Sequence, residues 1–149
     1  MKVLIATDGS DFSLAAADKC SELFGNVPDA EITVVSAYEP LQPIAAEPFA
    51  VSAEYYQEMT KSARLQAEHH ADATQARIKE GCPNANTSIE ILEGKPSARI
   101  VEFAEEWGAD TIIVGSHGRG FWGRLLGSVS NAVVNHAPCS VLVVRKEAE

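Results

Sequence analysis

The chain has 149 residues and a formal net charge of −9. A length of this order predicts one domain, residues 1–149, with a hydrophobic core of its own. The acidity argues against a protein that binds nucleic acid or anionic membranes, because both need a broad basic face that displaces counterions. No apolar run reaches the about 20 residues of a membrane span, and charged residues follow too early for a signal peptide, so we expect a cytoplasmic protein.

The first strand is predicted at residues 2–7, an apolar run that ends in turn-forming and helix-capping residues at 8–11. A helix follows and ends near Gly25, and Glu31–Tyr38 is the second strand. A connection of this length between two strands favours a right-handed parallel unit. Residues 39–49 contain three prolines and predict an exposed loop that could cover a site.

A long helix is predicted over residues 52–80. Its sheet-facing stripe is formed mostly by small side chains, namely Met59, Ala63, Ala67, Ala71, Thr74 and Ile78. His69 and His70 have no histidine or carboxylate four residues further on, so we interpret them as helix-surface residues. The odd number and wide spacing of Cys20, Cys82 and Cys139 predict neither disulfides nor a zinc site, and we expect no metal site built by side chains alone.

Residues 87–92 alternate polar and apolar side chains, which predicts a strand at the edge of the sheet. Pro96 opens the next helix and Gly108 ends it, and its buried face is Ile100, Val101, Ala104 and Trp107. Residues 139–144 are the last strand. Five strands alternating with four helices predict an α/β fold, a doubly wound parallel sheet of strand order 3-2-1-4-5 with helices on both faces.

The stretch from Asp110 to Ser128 holds half of the ten glycines. Residues 111–114 read as a buried strand that stops at Gly115, and a helical pattern begins near Gly127 and Ser128. A helix N-terminus carries about half a positive charge. Glycines permit left-handed turns and let backbone amides approach an anion, so phosphate is the expected ligand.

The charge distribution agrees with an anion site in this region. No Asp or Glu lies between Thr111 and Lys146, whereas Arg119 and Arg124 do. The alternative is that the loop is rich in glycine for turn formation alone and that its arginines are solvated. In the predicted sheet, ligands bind where the chain reverses, between strands one and four. Asp8 ends the first of these strands, and its carboxylate suits a ribose hydroxyl, a base amine or Mg²⁺, with a plain turn or cap role as the alternative.

Three segments, ATDGSD, GKPSARIVEFAEEWGADTIIVGSHG and LLGSVSNAVVNHAPCSVLVV, together resemble the universal stress protein family over essentially the whole chain. The resemblance implies the fold predicted above and ATP binding through the pattern Gly-x2-Gly-x9-Gly-Ser/Thr. Gly115, Gly118, Gly127 and Ser128 match that pattern, with eight rather than nine residues between the second and third glycines. The loop is therefore one residue short.

The same resemblance implies roles for other residues. Asp8 would contact the ribose or base, Ala37 and Val114 would line the adenine pocket, and Val129 would supply a further phosphate amide. The predicted site for ATP, with or without Mg²⁺, comprises Thr7, Asp8, Ala37, Val114, Gly115, Gly118, Arg119, Gly127, Ser128 and Val129.

The sequence is compatible with three functions. The first is an ATP-binding regulatory module that reports energy or stress state to a protein partner. The second is an interaction protein of the same fold without nucleotide, which the shortened loop favours. The third, an enzyme, is disfavoured because the loop lacks GxxxxGK[ST] and HxGH signatures and His117 is its only candidate base, although slow ATP hydrolysis stays open. The apolar last strand, Ser140–Val144, has no proline or charge and predicts a homodimer through strand pairing.

Overall fold

A computed structural model describes residues 1–43, 52–118 and 125–146. Within these ranges five strands alternate with four helices, as predicted. The strands are β1 Lys2–Ala6, β2 Glu31–Tyr38, β3 Asn86–Glu93, β4 Thr111–Gly115 and β5 Ser140–Val144. The helices are α1 Asp11–Phe24, α2 Ala53–Gly81, α3 Pro96–Trp107 and α4 Ser128–His136. The part of the predicted proline-rich loop beyond Pro43 lies outside the described residues.

The sheet is parallel throughout and has the order β3-β2-β1-β4-β5, which confirms the predicted topology. β1 pairs with β2 on one side and with β4 on the other, so the chain reverses between β1 and β4. β3 lies at one edge, as its alternating pattern predicted, and β5 lies at the other. The carboxyl ends of β1 and β4 therefore flank the crevice in which such sheets bind ligands.

Helices cover both faces of the sheet and form two cores. Val3 and Ile5 of β1 pack with α1 and α2 on one face, and Leu4 and Ala6 pack with α3 and α4 on the other. Buried residues on both sides of one strand explain why β1 is an unbroken apolar run. In the described ranges no helix is both long and apolar enough to span a bilayer.

The stripe predicted on α2 is only partly buried. Ala67, Ala71, Thr74 and Ile78 are buried against the sheet and α1, but Met59 is 40% exposed, so that part of the prediction is wrong. The reason is length. A 29-residue helix spans about 44 Å, whereas the eight residues of β2 span about 26 Å, so the first turns of α2 extend past the sheet.

His69 is exposed, as predicted, but His70 is not a simple surface residue. It is half-buried, and a Cβ added to Gly9 would lie 2.4 Å from its Cδ2 atom, so the His70 ring packs against the turn after β1. No group of three or more potential metal ligands occurs among the residues that the structure describes. The three cysteines are free, and burial together with the neighbouring Cys82 raises the pKa of Cys20 to about 12.

Candidate functional site

A cavity of about 370 Å³ lies at the carboxyl ends of β1, β2 and β4. Every predicted site residue that the structure describes lines it. The lining residues are Ala6, Thr7, Asp8, Ser13, Ala37, Pro96, Ile100, Val114, Gly115, His117, Gly118, Gly127, Ser128, Val129 and Ser130. Arg119, which was also predicted, lies outside the described residues, as does Arg124. The fold thus brings together segments from most of the length of the chain.

One half of the cavity is apolar. Val114 and Ile100 are almost fully buried, and Ala37 and Val129 pack beside them in the core between the sheet, α3 and α4. From the sequence, Ile100 was assigned only to the core, and Pro96 was missed as a lining residue. Both lie in the first turns of α3, which starts after the carboxyl end of β3, and that position in a parallel sheet is the signal that could have identified them.

The other half is polar and contains the N-terminus of α4. Gly127 is the N-cap, and its carbonyl accepts the first helical hydrogen bond from the Asn131 amide at 2.9 Å. Residues 128–130 come before Asn131 in the chain, so their amides have no acceptor within the helix. A glycine N-cap also has no side chain that could satisfy them, which leaves these donors for an anion in the cavity.

Hydrogen bonds hold the two ends of the glycine loop together. The Gly127 amide and the Ser130 hydroxyl both donate to the Ser116 carbonyl, each at 2.9 Å. The Ser116 amide donates to Val144 of β5 at 2.7 Å, which fixes the start of the loop to the sheet. These contacts join the two ends of the loop in this chain, although the loop is one residue shorter than the family pattern. Ser116 and Ser130 were missed, and the signal was that each directly follows a predicted site residue, Gly115 and Val129.

Asp8 takes part in the turn after β1 and also faces the glycine loop. Its Oδ1 atom accepts a hydrogen bond from the Ser10 amide at 3.0 Å, which is a turn interaction. Its other oxygen faces the glycine loop, because a Cβ added to Gly118 would lie 2.7 Å from Oδ2. The carboxylate therefore lies between the end of β1 and the loop, at the boundary of the polar half of the cavity.

A buried chain of hydroxyls fixes the backbone beside Asp8. Ser13 donates to the Ser10 carbonyl at 2.8 Å and receives a hydrogen bond from Thr7 at 3.1 Å. Since Thr7 has one hydroxyl proton, Thr74 of α2 is the donor in the 2.8 Å contact between the two threonines. The Thr7 hydroxyl is thus used in hydrogen bonds within the protein. Only the backbone and the methyl group of Thr7 are left to face a ligand.

The family assignment follows from comparison with known proteins. The model of the universal stress protein family matches residues 1–145. The chain belongs to the universal stress protein family. It is 36% identical over 148 residues to a universal stress protein of Methanocaldococcus jannaschii, an alignment that covers 97% of this chain and 82% of the relative.

Two solved structures are similar to this universal stress protein over nearly its full length. A hypothetical protein whose biochemical function was assigned from its structure superposes with a TM-score of 0.80 at 25% identity, with 99% of this chain and 97% of the other covered. A universal stress protein in complex with cAMP superposes with a TM-score of 0.64 at 26% identity, with 97% and 95% covered.

Proposed function

We propose that this universal stress protein is a regulatory module that binds ATP, together with Mg²⁺, in the cavity between β1 and β4. One observation carries the proposal: the residues that match the family's ATP-binding pattern line a single cavity, and its polar end is a helix N-terminus capped by glycine. The relative in complex with cAMP supports an adenine nucleotide as the class of ligand.

The two halves of the cavity suit the two ends of a nucleotide. The apolar wall formed by Ala37, Ile100 and Val129 offers a slot for the flat adenine ring, and the amides at the start of α4 suit phosphate oxygens. Asp8 lies at the polar boundary, where its carboxylate would accept hydrogen bonds from ribose hydroxyls. A volume of about 370 Å³ falls in the range of small-molecule sites, about 300–1,000 Å³.

Mg²⁺ would bind chiefly to the nucleotide. Asp8 is the one carboxylate among the described lining residues, and a magnesium ion usually combines one or two carboxylates with phosphates and water. The ion would neutralise phosphate charge next to Asp8, which otherwise repels a polyphosphate.

The contacts of His117 support a regulatory module rather than a dedicated enzyme. Its Nδ1 atom contacts the Ser116 hydroxyl at 2.9 Å, and its Nε2 atom contacts the Leu125 carbonyl. A general base needs a ring nitrogen that can take a proton from the nucleophile. Both nitrogens of His117 are used within the loop, so it is not placed for that role.

Calorimetric titration tests the proposed ligand. Protein stripped of bound nucleotide is expected to bind ATP with Mg²⁺ at about micromolar Kd, which corresponds to about −8 kcal/mol. AMP and cAMP serve as comparisons, because they share the adenine and ribose contacts but present fewer phosphate oxygens to α4. Small molecules released from freshly purified, denatured protein would identify the natural ligand. Absence of binding up to millimolar ATP would contradict the proposal and favour the interaction protein without nucleotide, the alternative that the short loop suggests.

We also propose a homodimer through β5. β5 pairs with β4 and has no second neighbour among the described strands. The Val144 carbonyl accepts a hydrogen bond from the amide that follows β4, and backbone groups alternate along a strand, so those of Val143 face the open edge. An apolar edge of this kind pairs readily with a second copy.

Light scattering at micromolar concentration is expected to give a mass near twice the 15.9 kDa of one chain. Val143→Pro removes the outward amide and is expected to shift the mass to that of one chain, with the fold retained by circular dichroism. Val134→Ala, an exposed position on α4, is the control and should stay dimeric. A wild-type mass of one chain contradicts the dimer.

A further inference from the structure

His117 connects the two ends of the glycine loop. It follows Ser116, where the loop leaves β4, and its Nε2 atom reaches the carbonyl of Leu125, where the loop approaches α4. Its backbone lies against the N-cap, because a Cβ on Gly127 would be 3.3 Å from the His117 Cα. The imidazole also packs on Phe12 of α1, with the ring centroids 5.1 Å apart. A side chain from within the loop thus contacts both of its ends and a neighbouring helix.

The hydrogen-bond partners of His117 define the tautomer of its ring. A carbonyl oxygen only accepts hydrogen bonds, so the Nε2 atom carries the proton and donates it to Leu125. In the neutral ring Nδ1 is then the acceptor, and the Ser116 hydroxyl donates a hydrogen bond to it. The Ser116 side chain is buried, so this hydroxyl needs an acceptor, and His117 supplies it.

We infer that His117 is a positioning residue of the nucleotide site, which holds the Gly118 and α4 amides in place because its Nε2 atom bridges the start of the loop, where its own backbone lies, to Leu125. The inference rests on the proposed function, because it assigns those amides to phosphate. In this chain the bridge lies across a loop that is one residue shorter than the family pattern, between ends that the hydrogen bond from Gly127 to Ser116 also joins. His117 lines the cavity without being needed as a direct ligand.

Substitutions that mimic one ring nitrogen of His117 at a time distinguish positioning through hydrogen bonds from packing of the side chain alone. Glutamine places an amide NH₂ near the position of Nε2 and retains the donor to Leu125, whereas asparagine reaches only the position of Nδ1. His117→Ala and His117→Asn are expected to weaken ATP binding about tenfold. His117→Gln is expected to bind within about threefold of wild type. His136→Ala is the matched control, since it removes an imidazole contact to a carbonyl, that of Ala132, at the far end of α4.

Amide hydrogen exchange tests the bridge without any ligand. The Gly127 amide donates to the Ser116 carbonyl, so its protection reports whether the loop ends stay together. In ligand-free protein, His117→Ala is expected to raise its exchange rate about tenfold, with the rate restored in His117→Gln and unchanged in His136→Ala.

The ATP titrations and the exchange rate of the Gly127 amide distinguish failure of the inference from failure of the proposed function. Equal Gly127 exchange in wild type and His117→Ala overturns the inference, and so does a His117→Gln variant that binds ATP as weakly as His117→Ala. If wild type binds no nucleotide but His117→Ala still exchanges faster, the proposed function fails while the bridge itself is upheld.

Discussion

Gly127→Val is expected to abolish ATP binding while the domain stays folded. A Cβ at this position would lie 3.3 Å from His117 Cα and 3.5 Å from the Gly118 amide nitrogen, and the two methyl groups of valine extend further into the space in front of α4. Hydrogen bonds to a charged acceptor contribute about 1.5–3 kcal/mol each. Loss of two phosphate amides therefore weakens binding roughly 100-fold or more.

The backbone at Gly127 explains why folding should survive. Its φ of −62° and ψ of 163° are open to any residue, so the left-handed turn that glycine would have permitted is not used there. The effect of valine thus comes from size alone. Calorimetric titration measures Kd, and a thermal melt checks the fold.

Ser128→Ala provides the graded comparison at the same end of α4. It removes one exposed hydroxyl and leaves every amide in place, so the expected loss is about 0.5–1.5 kcal/mol. If Gly127→Val binds ATP as well as wild type does, the assignment of phosphate to this loop is wrong.

Gly115→Ala is expected to give the largest loss of stability among the glycines of the site. A Cβ there would lie 2.7 Å from the carbonyl carbon of Phe12 and 2.8 Å from its oxygen. These are backbone atoms of α1, whose Ala16, Ala17 and Cys20 are fully buried against the sheet, so the helix has to shift as a unit. Overpacking of this kind costs about 1–3 kcal/mol.

Urea unfolding and thermal unfolding measure the loss of stability. Gly127→Ala is the matched control, because it adds the same methyl group where the nearest atom is 3.3 Å away. The midpoint of thermal unfolding should fall by roughly 4–10 °C in Gly115→Ala and much less in the control. A shift of α1 also moves Asp8, so ATP affinity should drop as well. Equal free energies of unfolding for the two variants would show that α1 is free to adjust.

The order of elements was available from the sequence because its signals are local. Apolar runs, the glycines that end helices and the prolines that begin or follow them each act within a few residues. Parallel pairing with right-handed connections then leaves few topologies, and the observed order is the predicted one. The position of Asp8 and Gly115 at the switch follows from that order alone.

Only the tertiary structure decided which side chains meet. Thr7 and Thr74 are 67 positions apart, and their hydrogen bond depends on how α2 lies across the sheet. The burial of His70 beside Gly9 and the exposure of Met59 depend on the same placement. A periodic pattern identifies a helix face but not where along the sheet each turn lies.

The cavity, too, depends partly on local sequence signals and partly on tertiary packing. The glycine pattern and its helix are contiguous in sequence, so local chemistry alone predicts a phosphate site there. Pro96 and Ile100 enter from α3, and the Ser116, His117 and Ser130 contacts form only when the loop folds back on α4. Local propensity determined where the helix N-terminus and its glycines lie, and the packing of distant elements determined the walls of the cavity and the hydrogen bonds that hold them.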